Sequence, residues 1–340
     1  MAGAVNHVQS VSELPTRTAA VVLNWKNAPD TIRCLDALTH HTDNIEAVDV
    51  IVVDNGSGDG SSDRIRAAHP EATILQLEAN TGFARGINAG LHWVLDRHEH
   101  DVIVFLNNDA ILTPANLDRA TNIVRKDPTI GMVTGKVLRH DGPIWYGGGR
   151  LLRLVGGVRI NGQGQLDSGQ CDRASDVTFL SLAFAVARRE VVERVGLLSE
   201  DYFFGQEEWD YSLRVRRAGL RLRYEPSVVC LHGGDGSHKN TAPEFIYNGY
   251  RNKLIFQKTH LPRPVYWLWW LAFATYTKTI MPRRVRRLPG QPVEPEVLKF
   301  CAKTALADHA ASSRPIEEAD LLGFQRRLEE ALASAEKSRP

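Results

Sequence analysis

The stretch VIVFLNNDAIL, residues 102–112, places two amides and a carboxylate directly after five apolar residues. Asn107, Asn108 and Asp109 would lie at the end of a buried strand, because continuous apolar runs are typical of strands that are covered on both faces. One interpretation is a turn, since Asn and Asp tolerate unusual backbone angles and bond their own backbone. The other is a ligand site, since open α/β sheets bind ligands beyond the carboxyl ends of their strands.

Three further apolar runs lead to polar residues of the same kinds. Asn24 follows the first run, Asp54 ends the second, and Asn80 and Gly82 follow the third. In a parallel sheet the four strand ends share one edge, so these side chains would meet in one crevice although they are distant in sequence. A single polar strand end indicates a turn, whereas four in succession favour a binding site.

The residue types at this edge favour a nucleoside diphosphate with a divalent cation. Asp54 could accept hydrogen bonds from a base or a ribose. The glycine-bearing segment 82–90 opens a helix, whose N-terminus favours anions, and Arg85 could lie against a phosphate. Asp109 could hold a cation that bridges phosphate oxygens. A dinucleotide site would instead need G-x-G-x-x-G after the first strand, where this chain has NWKNAPD.

Two further motifs carry ionisable groups. His232 ends a late strand before two glycines and is either a half-buried structural histidine or a ligand. Glu207, Glu208 and Asp210 belong either to a solvated helix start, where acids favour the helix dipole, or to a wall, because the preceding YFFG is largely apolar. A carboxylate in such a wall can act as the base that deprotonates a hydroxyl. Asp210 and Arg214 are expected to form contacts that stabilise the structure or contacts with an acceptor molecule.

The elements that must position these residues alternate between strand and helix. Between residues 18 and 112, apolar runs alternate four times with stretches of helical character. This order predicts an α/β fold with a Rossmann-like, mostly parallel sheet and helices on both faces. The glycine-rich middle, roughly residues 131–180, predicts loops and short antiparallel strands over the site, or a flexible lid. A strand, two helices and a final strand that ends at His232 follow.

The C-terminal third has a different composition. EFIYNGYRNKLIFQKTH is helical and basic, and the residues from about 315 to 338 have the spacing of an amphipathic charged helix. The aromatic run 265–274 is either a core helix or an interfacial helix that turns basic residues towards anionic lipid. The basic residues around it are Arg263, Lys278, Arg283, Arg284, Arg286 and Arg287.

The composition excludes several classes of protein. The chain has 340 residues, of which 43% are hydrophobic and 24% charged, and a net charge of +1. These values are ordinary for a globular protein and give no general attraction to nucleic acid. Four scattered cysteines without a CxxC pair fit a reducing compartment. We expect no signal peptide, and no apolar stretch reaches the ~20 residues of a spanning helix.

Six motifs, in their order and at their distances, resemble those of the family-two glycosyltransferases. The motifs are AVVLNWKN, VIVVDNGSGDGS, NTGFARGINAG, FLNNDAIL, EEWDYSLRVRRAG and LHGGDGS. These proteins are inverting nucleotide-sugar enzymes of the GT-A fold, and the resemblance, which covers about residues 18–260, is closest to the rhamnosyltransferase and galactofuranosyltransferase branch. It implies transfer of a sugar, rhamnose being favoured, from a dTDP- or UDP-sugar to a hydroxyl of a glycan or polyprenyl-linked acceptor in cell-surface polysaccharide synthesis.

The resemblance also implies where the nucleotide binds. Asp54 matches the carboxylate that recognises the uracil or thymine ring, and Asn24 matches a nucleotide contact after the first strand. Asn80, Gly82 and Arg85 fall in the segment that lines the nucleotide and the diphosphate.

A divalent cation is implied at the fourth strand end. Asn107, Asn108 and Asp109 stand where many family members have Asp-x-Asp, with Asp109 as the usual metal ligand. His232 matches a further metal ligand, and the mixed oxygen and nitrogen set suits Mn²⁺ or Mg²⁺. Asn107 replaces the first carboxylate of the family motif, and an amide is the poorer cation ligand, so a lower metal affinity is expected.

The catalytic base is implied within the acidic cluster. Glu208 occupies the base position and Glu207 is the second candidate. A protein that binds nucleotide sugars without turnover is the main alternative, because Asn107 and Glu208 depart from the family motif. A nucleotidyltransferase is a weaker one, because no basic glycine-rich triphosphate loop is evident.

The resemblance favours the interfacial interpretation of the aromatic run, since a lipid-linked acceptor would bring the enzyme to a membrane. We expect a cytoplasmic protein at the inner face of the plasma membrane, without a nucleic-acid partner. The expected organisation is an N-terminal arm (1–17), the GT-A domain (18–260), an aromatic and basic membrane-interface segment (261–290) and a C-terminal helical tail (291–340).

Overall fold

The computed structural model describes residues 17–39, 48–233, 242–279, 294–311 and 316–337. Ten of the strands in these ranges form one mixed sheet, and the other two form a separate hairpin. The sheet contains β1 (Thr18–Asn24), β2 (Val48–Asp54), β3 (Thr73–Gln76), β4 (Val102–Asn107), β5 (Ile111–Leu112), β6 (Ile130–Arg139) and β7 (Ile144–Tyr146). The hairpin is β8 (Gly149–Leu152) with β9 (Gly157–Ile160), and the sheet is completed by β10 (Ser175–Val177), β11 (Phe184–Arg188) and β12 (Arg221–His232).

The first half of the sheet is parallel, as the sequence predicts. The strand order is β10-β12-β6-β11-β4-β1-β2-β3, with β5 beside β12 and β7 beside β6. Strands β1 to β4 are parallel to one another, β11 runs antiparallel between β4 and β6, and β6 pairs in parallel with β12. The register places Asn24 opposite Asp54 and Leu23 opposite Asn107, so three strand ends lie side by side.

Helices cover the sheet and continue beyond it. They are α1 (Ala28–Thr39), α2 (Ser61–Ala68), α3 (Gly82–Arg97), α4 (Pro114–Lys126), α5 (Arg189–Val195), α6 (Glu207–Arg217), α7 (Pro243–His260), α8 (Arg263–Thr279), α9 (Pro295–Ala311) and α10 (Glu318–Lys337). Helix α3 approaches β1 closely because Gly86 and Gly90 face it. A methyl group at either glycine would come within 2.4 Å of the side chain of Leu23 or Val21.

The prediction of loops and short strands over residues 131–180 is wrong for β6. This ten-residue strand lies inside the sheet, and its first eight residues are buried. Gly135 lies in it because an added Cβ would come 2.2 Å from the carbonyl oxygen of Val228. The buried Lys136 is neutralised by Asp167, 2.7 Å away, and by Asp172. The contact with Val228 requires the glycine, and the two carboxylates compensate the buried charge of the lysine. Both residues obscured the strand pattern in the sequence. The short antiparallel strands that were expected do follow, as β8 and β9.

The C-terminal helices form a smaller core on α7, which confirms the predicted helical extension. The ring of Tyr247 stacks on Phe324 of α10 with ring centroids 4.3 Å apart. The hydroxyl of Tyr247 donates to Asp308 of α9 at 2.6 Å, and Arg327 of α10 pairs with the same carboxylate at 2.7 Å. Among the described helices, none has the length and apolarity to cross a membrane. The expected arm up to residue 16 and the arginines at 283–287 lie outside the described residues.

Candidate functional site

The first two strand ends are joined by a buried hydrogen-bond network. Asn24 donates from Nδ2 to Asp54 Oδ1 at 2.9 Å and accepts from the Thr31 hydroxyl at 2.8 Å. Asp54 is 1% exposed and also accepts from the hydroxyls of Ser57 and Ser62. Its carboxylate thus fixes the loop after β2 against the end of β1. Direct recognition of a pyrimidine ring by Asp54 stays a prediction.

The beginning of α3 is attached to the same edge by Asn55, which was not among the predicted site residues. Its Nδ2 donates to Asn80 Oδ1 at 3.0 Å and to the carbonyl oxygen of Gly82 at 3.1 Å, and its Oδ1 accepts from Thr81 N at 2.9 Å. Asn80 and Gly82 are therefore brought to the end of β2, next to Asp54. Arg85 lies on the first turn of α3.

Gly82 and Arg85 connect this edge to the segment that precedes α6. Gly82 has φ +83°, and a Cβ there would come 2.3 Å from the carbonyl oxygen of Phe203. That carbonyl accepts from the neighbouring amide of Phe83 at 2.6 Å. Arg85 pairs with Glu200 at 3.3 Å. The edge that carries Asp54 and Asn80 and the segment that leads to α6 thus lie against each other.

The ends of β4 and β12 bring the predicted metal ligands together. His232 Nε2 lies 3.2 Å from Asp109 Oδ1 and 2.9 Å from the side-chain nitrogen of Asn107. The Trp145 ring packs on the imidazole with centroids 4.6 Å apart. Asn108 points elsewhere, because its amide donates to the Thr31 hydroxyl at 3.1 Å and joins the Asn24 network.

Asp109 and His232 have the chemistry and spacing of two ligands of one cation. Adjacent ligands at about 2.1 Å in octahedral geometry lie about 3 Å apart, close to the distance between Oδ1 and Nε2. Within the described ranges, no group of three His, Cys, Asp or Glu side chains could hold a metal ion. Any further ligands for a cation between this pair would have to come from a bound molecule, from water or from other ligand types.

In the acidic cluster Glu207 and Asp210 are buried and Glu208 is half-buried, which excludes a solvated helix start. Glu207 is 5% exposed, and burial, then the charge of Glu208, raises its pKa to about 8. Burial also raises the pKa of Glu208 to about 7, against hydrogen bonds from Leu182 N and the Ser181 hydroxyl and against the charge of His232. Leu182 N donates to Glu208 at 3.1 Å, and the carbonyl oxygen of the next residue, Ala183, accepts from Asn107 N at 3.0 Å. The acidic cluster therefore lies beside the end of β4.

Helix α7 holds the turn that precedes the acids. Asn252 donates from Nδ2 to the carbonyl oxygens of Phe204 and Gly205 at 2.9 and 2.7 Å, and Asn248 donates to that of Phe204. Gln206, the residue before α6, has φ 70° although it carries a side chain. Left-handed backbone at such a residue is unfavourable, so the two amides stabilise a conformation that the chain would not adopt alone.

Asp210 and Arg214 form the structural contact that the sequence predicts. Arg214 Nε lies 2.6 Å from Asp210, and His260 Nε2 lies 2.7 Å from the same carboxylate. Arg217 donates to Nδ1 of His260 at 3.0 Å, so the proton of a neutral imidazole lies on Nε2 and faces Asp210. Burial opposes the charge on Asp210, but the hydrogen bond from His260 and the charge of Arg214 lower its pKa. The ends of α6 and α7 are thereby connected.

A profile of the family described as "Glycosyltransferase like family 2" matches residues 15–245. The N-acetylglucosaminyl-diphospho-decaprenol L-rhamnosyltransferase of Mycobacterium tuberculosis is 24% identical over 239 residues, which cover 62% of this chain and 74% of the relative. The dTDP-rhamnosyl transferase RfbF of Shigella flexneri is 24% identical over 226 residues, which cover 63% of this chain and 72% of that protein.

Two solved structures share the fold. The mannosyltransferase PcManGT from Pyrobaculum calidifontis, in complex with GDP-Man and Mn²⁺, aligns with a TM-score of 0.51 and 18% identity over 92% of this chain and 80% of its own. GalNAc-T7 with UDP, GalNAc and Mn²⁺ aligns with a TM-score of 0.55 and 12% identity over 95% of this chain and 58% of its own. Both likenesses confirm the predicted GT-A architecture.

Proposed function

This chain belongs to glycosyltransferase family 2, and we propose that it transfers a sugar, rhamnose in the first place, from a dTDP- or UDP-sugar. The acceptor is a hydroxyl of a glycan or of a lipid-linked intermediate, and the transfer inverts the anomeric centre. Two relatives named as rhamnosyltransferases support the donor, and the diphospho-decaprenol in one name supports a lipid-linked acceptor.

One observation carries the proposal: a half-buried carboxyl, that of Glu208, lies beside the paired ends of β4 and β12. Glu208 accepts from Leu182 N at 3.1 Å, and the adjacent carbonyl of Ala183 accepts from Asn107 N at the end of β4 at 3.0 Å. At the end of β12, His232 Nε2 is 2.9 Å from the side-chain nitrogen of Asn107 and 3.2 Å from Asp109 Oδ1. Inverting transfer requires a base on one side of the anomeric carbon and a site for the leaving diphosphate on the other. The network of Asn24, Asp54 and Asn80 then lies where the nucleoside would bind.

The reaction assigned to the site has one proton transfer and one exchange of bonds. Glu208 takes the proton of the acceptor hydroxyl, and that oxygen forms a bond to the anomeric carbon. The bond between this carbon and the diphosphate oxygen breaks on the opposite face, and the diphosphate leaves with the electron pair. The configuration inverts because entry and departure occur on opposite faces. Glu207 is the second candidate for the base.

Asp109 and His232 would hold Mn²⁺ or Mg²⁺, with Asn107 beside them. When bound there, such a cation neutralises charge that develops on the leaving diphosphate. The Mn²⁺ in both structures of the same fold supports this assignment. Calorimetric titration of UDP and of dTDP, with and without Mn²⁺, tests it directly. Asp109→Ala should remove the difference that Mn²⁺ makes, whereas metal-independent binding by the unaltered protein would contradict the assignment.

The role of Glu208 is tested by separating binding from transfer. Glu208→Gln keeps the size of the side chain and removes the base, so transfer should fall by roughly 10²- to 10⁴-fold while donor affinity stays unchanged. Glu207→Gln is the matched control, since it alters the adjacent buried carboxyl. Full turnover by Glu208→Gln with loss in Glu207→Gln would reverse the two roles. No transfer by the unaltered protein from either donor would favour the binding-only alternative.

We place the protein at the inner face of the plasma membrane. Helix α8 supports attachment to a membrane surface, because Trp267, Leu268 and Leu271 are 56%, 70% and 60% exposed. Its ends carry Arg263 and Lys278. An apolar helix face with flanking basic residues is typical of helices that lie in the interface of an anionic bilayer.

A further inference from the structure

The β8–β9 hairpin ends in an exposed apolar tip. Leu154 and Val155 are 71% and 67% exposed. The amides of Val155 and Gly156 donate to the carbonyl oxygen of Leu152 at 3.0 and 2.9 Å, and Gly156 has φ +66°. The turn therefore holds two adjacent aliphatic side chains in water, at a position where turns ordinarily carry polar residues.

The charged residues of the hairpin itself have one sign. Arg150, Arg153 and Arg159 are exposed along the two strands and the turn. Residues 142–166 contain no aspartate or glutamate. An aliphatic tip with arginines and no acids is complementary to a surface that combines negative charge with an apolar interior.

The hairpin is attached where α7 leads into α8. Arg153 donates to the carbonyl oxygen of His260 at 3.2 Å, and Gln257 donates to the carbonyl oxygen of Arg153 at 2.8 Å. Helix α8 begins at Arg263, three residues after His260, and Leu154 follows Arg153 directly. The contact between Arg153 and the end of α7 therefore lies next in sequence to both exposed apolar surfaces, the hairpin tip and α8.

The segment that includes α8 repeats the same charge pattern. Residues 245–293 contain nine arginines and lysines and no acidic residue, although the whole chain has a net charge of +1. The balancing acids must therefore lie elsewhere in the chain. Stable attachment to a membrane usually takes two weak signals, since one alone gives marginal binding.

We propose that the β8–β9 hairpin is a second membrane anchor, which inserts Leu154 and Val155 into the interface of an anionic bilayer beside α8. This rests on the membrane-peripheral part of the proposed function. The arginines of the hairpin contact lipid phosphates while the two aliphatic side chains enter the acyl boundary. Because both anchors belong to one folded unit, binding of either raises the effective concentration of the other at the surface.

Vesicle sedimentation tests the proposal with the full chain and without donor or acceptor. Vesicles of phosphatidylcholine with phosphatidylglycerol are compared with vesicles of phosphatidylcholine alone. The double substitution Leu154→Ser, Val155→Ser should weaken binding to the anionic vesicles at least about tenfold. Leu166→Ser is the matched control, because Leu166 is also 71% exposed, and it should bind as the unaltered protein does. Equal losses in both variants, no loss in the double variant, or equal binding to the two vesicle types would overturn the proposal.

A second measurement does not depend on weakened binding. The four native cysteines are buried, so Val155→Cys can be labelled selectively with an environment-sensitive dye. Its emission should shift to the blue with anionic vesicles, while a dye at Leu166→Cys should not respond. If the emission of the dye at position 155 does not shift, lipid insertion is overturned, and the tip would instead be a surface for a protein partner. Transfer to a soluble acceptor is measured separately, so failure of the proposed chemistry leaves the vesicle result standing.

Discussion

Glu207 imposes a free-energy cost on the folded protein that grows with pH. Its side chain is buried, and its Oε2 has no hydrogen-bond partner among the described residues. Burial and the charge of Glu208 raise its pKa from 4.5 to about 8. Between these two values the folded state keeps a proton that the unfolded chain has released. Unfolding therefore becomes easier as the pH rises through this interval, and the cost is constant above it.

Glu207→Gln removes this titration without changing the size of the side chain. Each pH unit in the interval is worth about 1.4 kcal/mol. Relative to its effect near pH 4.5, the substitution should add about 3 kcal/mol to the free energy of unfolding at about pH 7, and about 4 kcal/mol at about pH 8 and above. Guanidinium chloride unfolding of both proteins at about pH 5, 7 and 9 measures the difference.

The test is whether the difference in the free energy of unfolding between the two proteins changes with pH. Glu330→Gln is the control, because Glu330 is exposed on α10 and the same chemical change should leave stability nearly unaltered at every pH. A gain for Glu207→Gln that is the same at all three pH values would mean that glutamine merely packs better. No gain near pH 8 would refute the burial of an uncompensated carboxyl at this position.

Three further outcomes are expected. If Glu208 is the base, kcat/KM should rise about tenfold per pH unit below about pH 7 and level off above it, because the ionised carboxylate is the active form; a flat profile would contradict this. Asn252→Ala leaves the Gly205 carbonyl without its side-chain donor and the Phe204 carbonyl with Asn248 alone, and it should lower the free energy of unfolding by about 1–3 kcal/mol in denaturant titrations. Gly82→Ala, which meets Phe203, should cost at least about 2 kcal/mol more than Gly164→Ala. Gly164 also has a positive φ but faces open space, so equal costs would rule out the clash.

The residues at the strand ends were predictable because parallel strands impose their placement. The apolar runs before Asn24, Asp54 and Asn107 indicate buried strands, and α/β alternation then fixes which ends share an edge. Likewise, an apolar stretch that stops at His232 indicated a strand end. The pairing of that strand was not predictable, because β12 reaches Asp109 by pairing with β5, which lies far from β12 in the sequence.

The remaining parts of the site depend on contacts that leave little trace in the local sequence. Asn248 and Asn252 are four residues apart, so they share one face of α7. That spacing was the available signal, but it does not name the turn that the two amides hold. Asn55 stands beside Asp54 and differs from an ordinary turn residue only through its contacts with residues 80–82. Strand β6 was missed because its glycine and buried lysine are explained by Val228, Asp167 and Asp172, which lie far along the chain.

Helix α7 also fixes the order in which the site is completed during synthesis. Asn252 leaves the ribosome after all the other residues of the site, which are Asn24, Asp54, Asn80, Asp109, Glu207 and Glu208. Domains generally fold from the N-terminus as they are made. The sheet can therefore form while the turn before Glu207 still lacks the two amides that stabilise it. A nascent chain would therefore acquire the network of Asn24, Asp54 and Asn80, the proposed nucleotide site, before Glu207 and Glu208 are held in position.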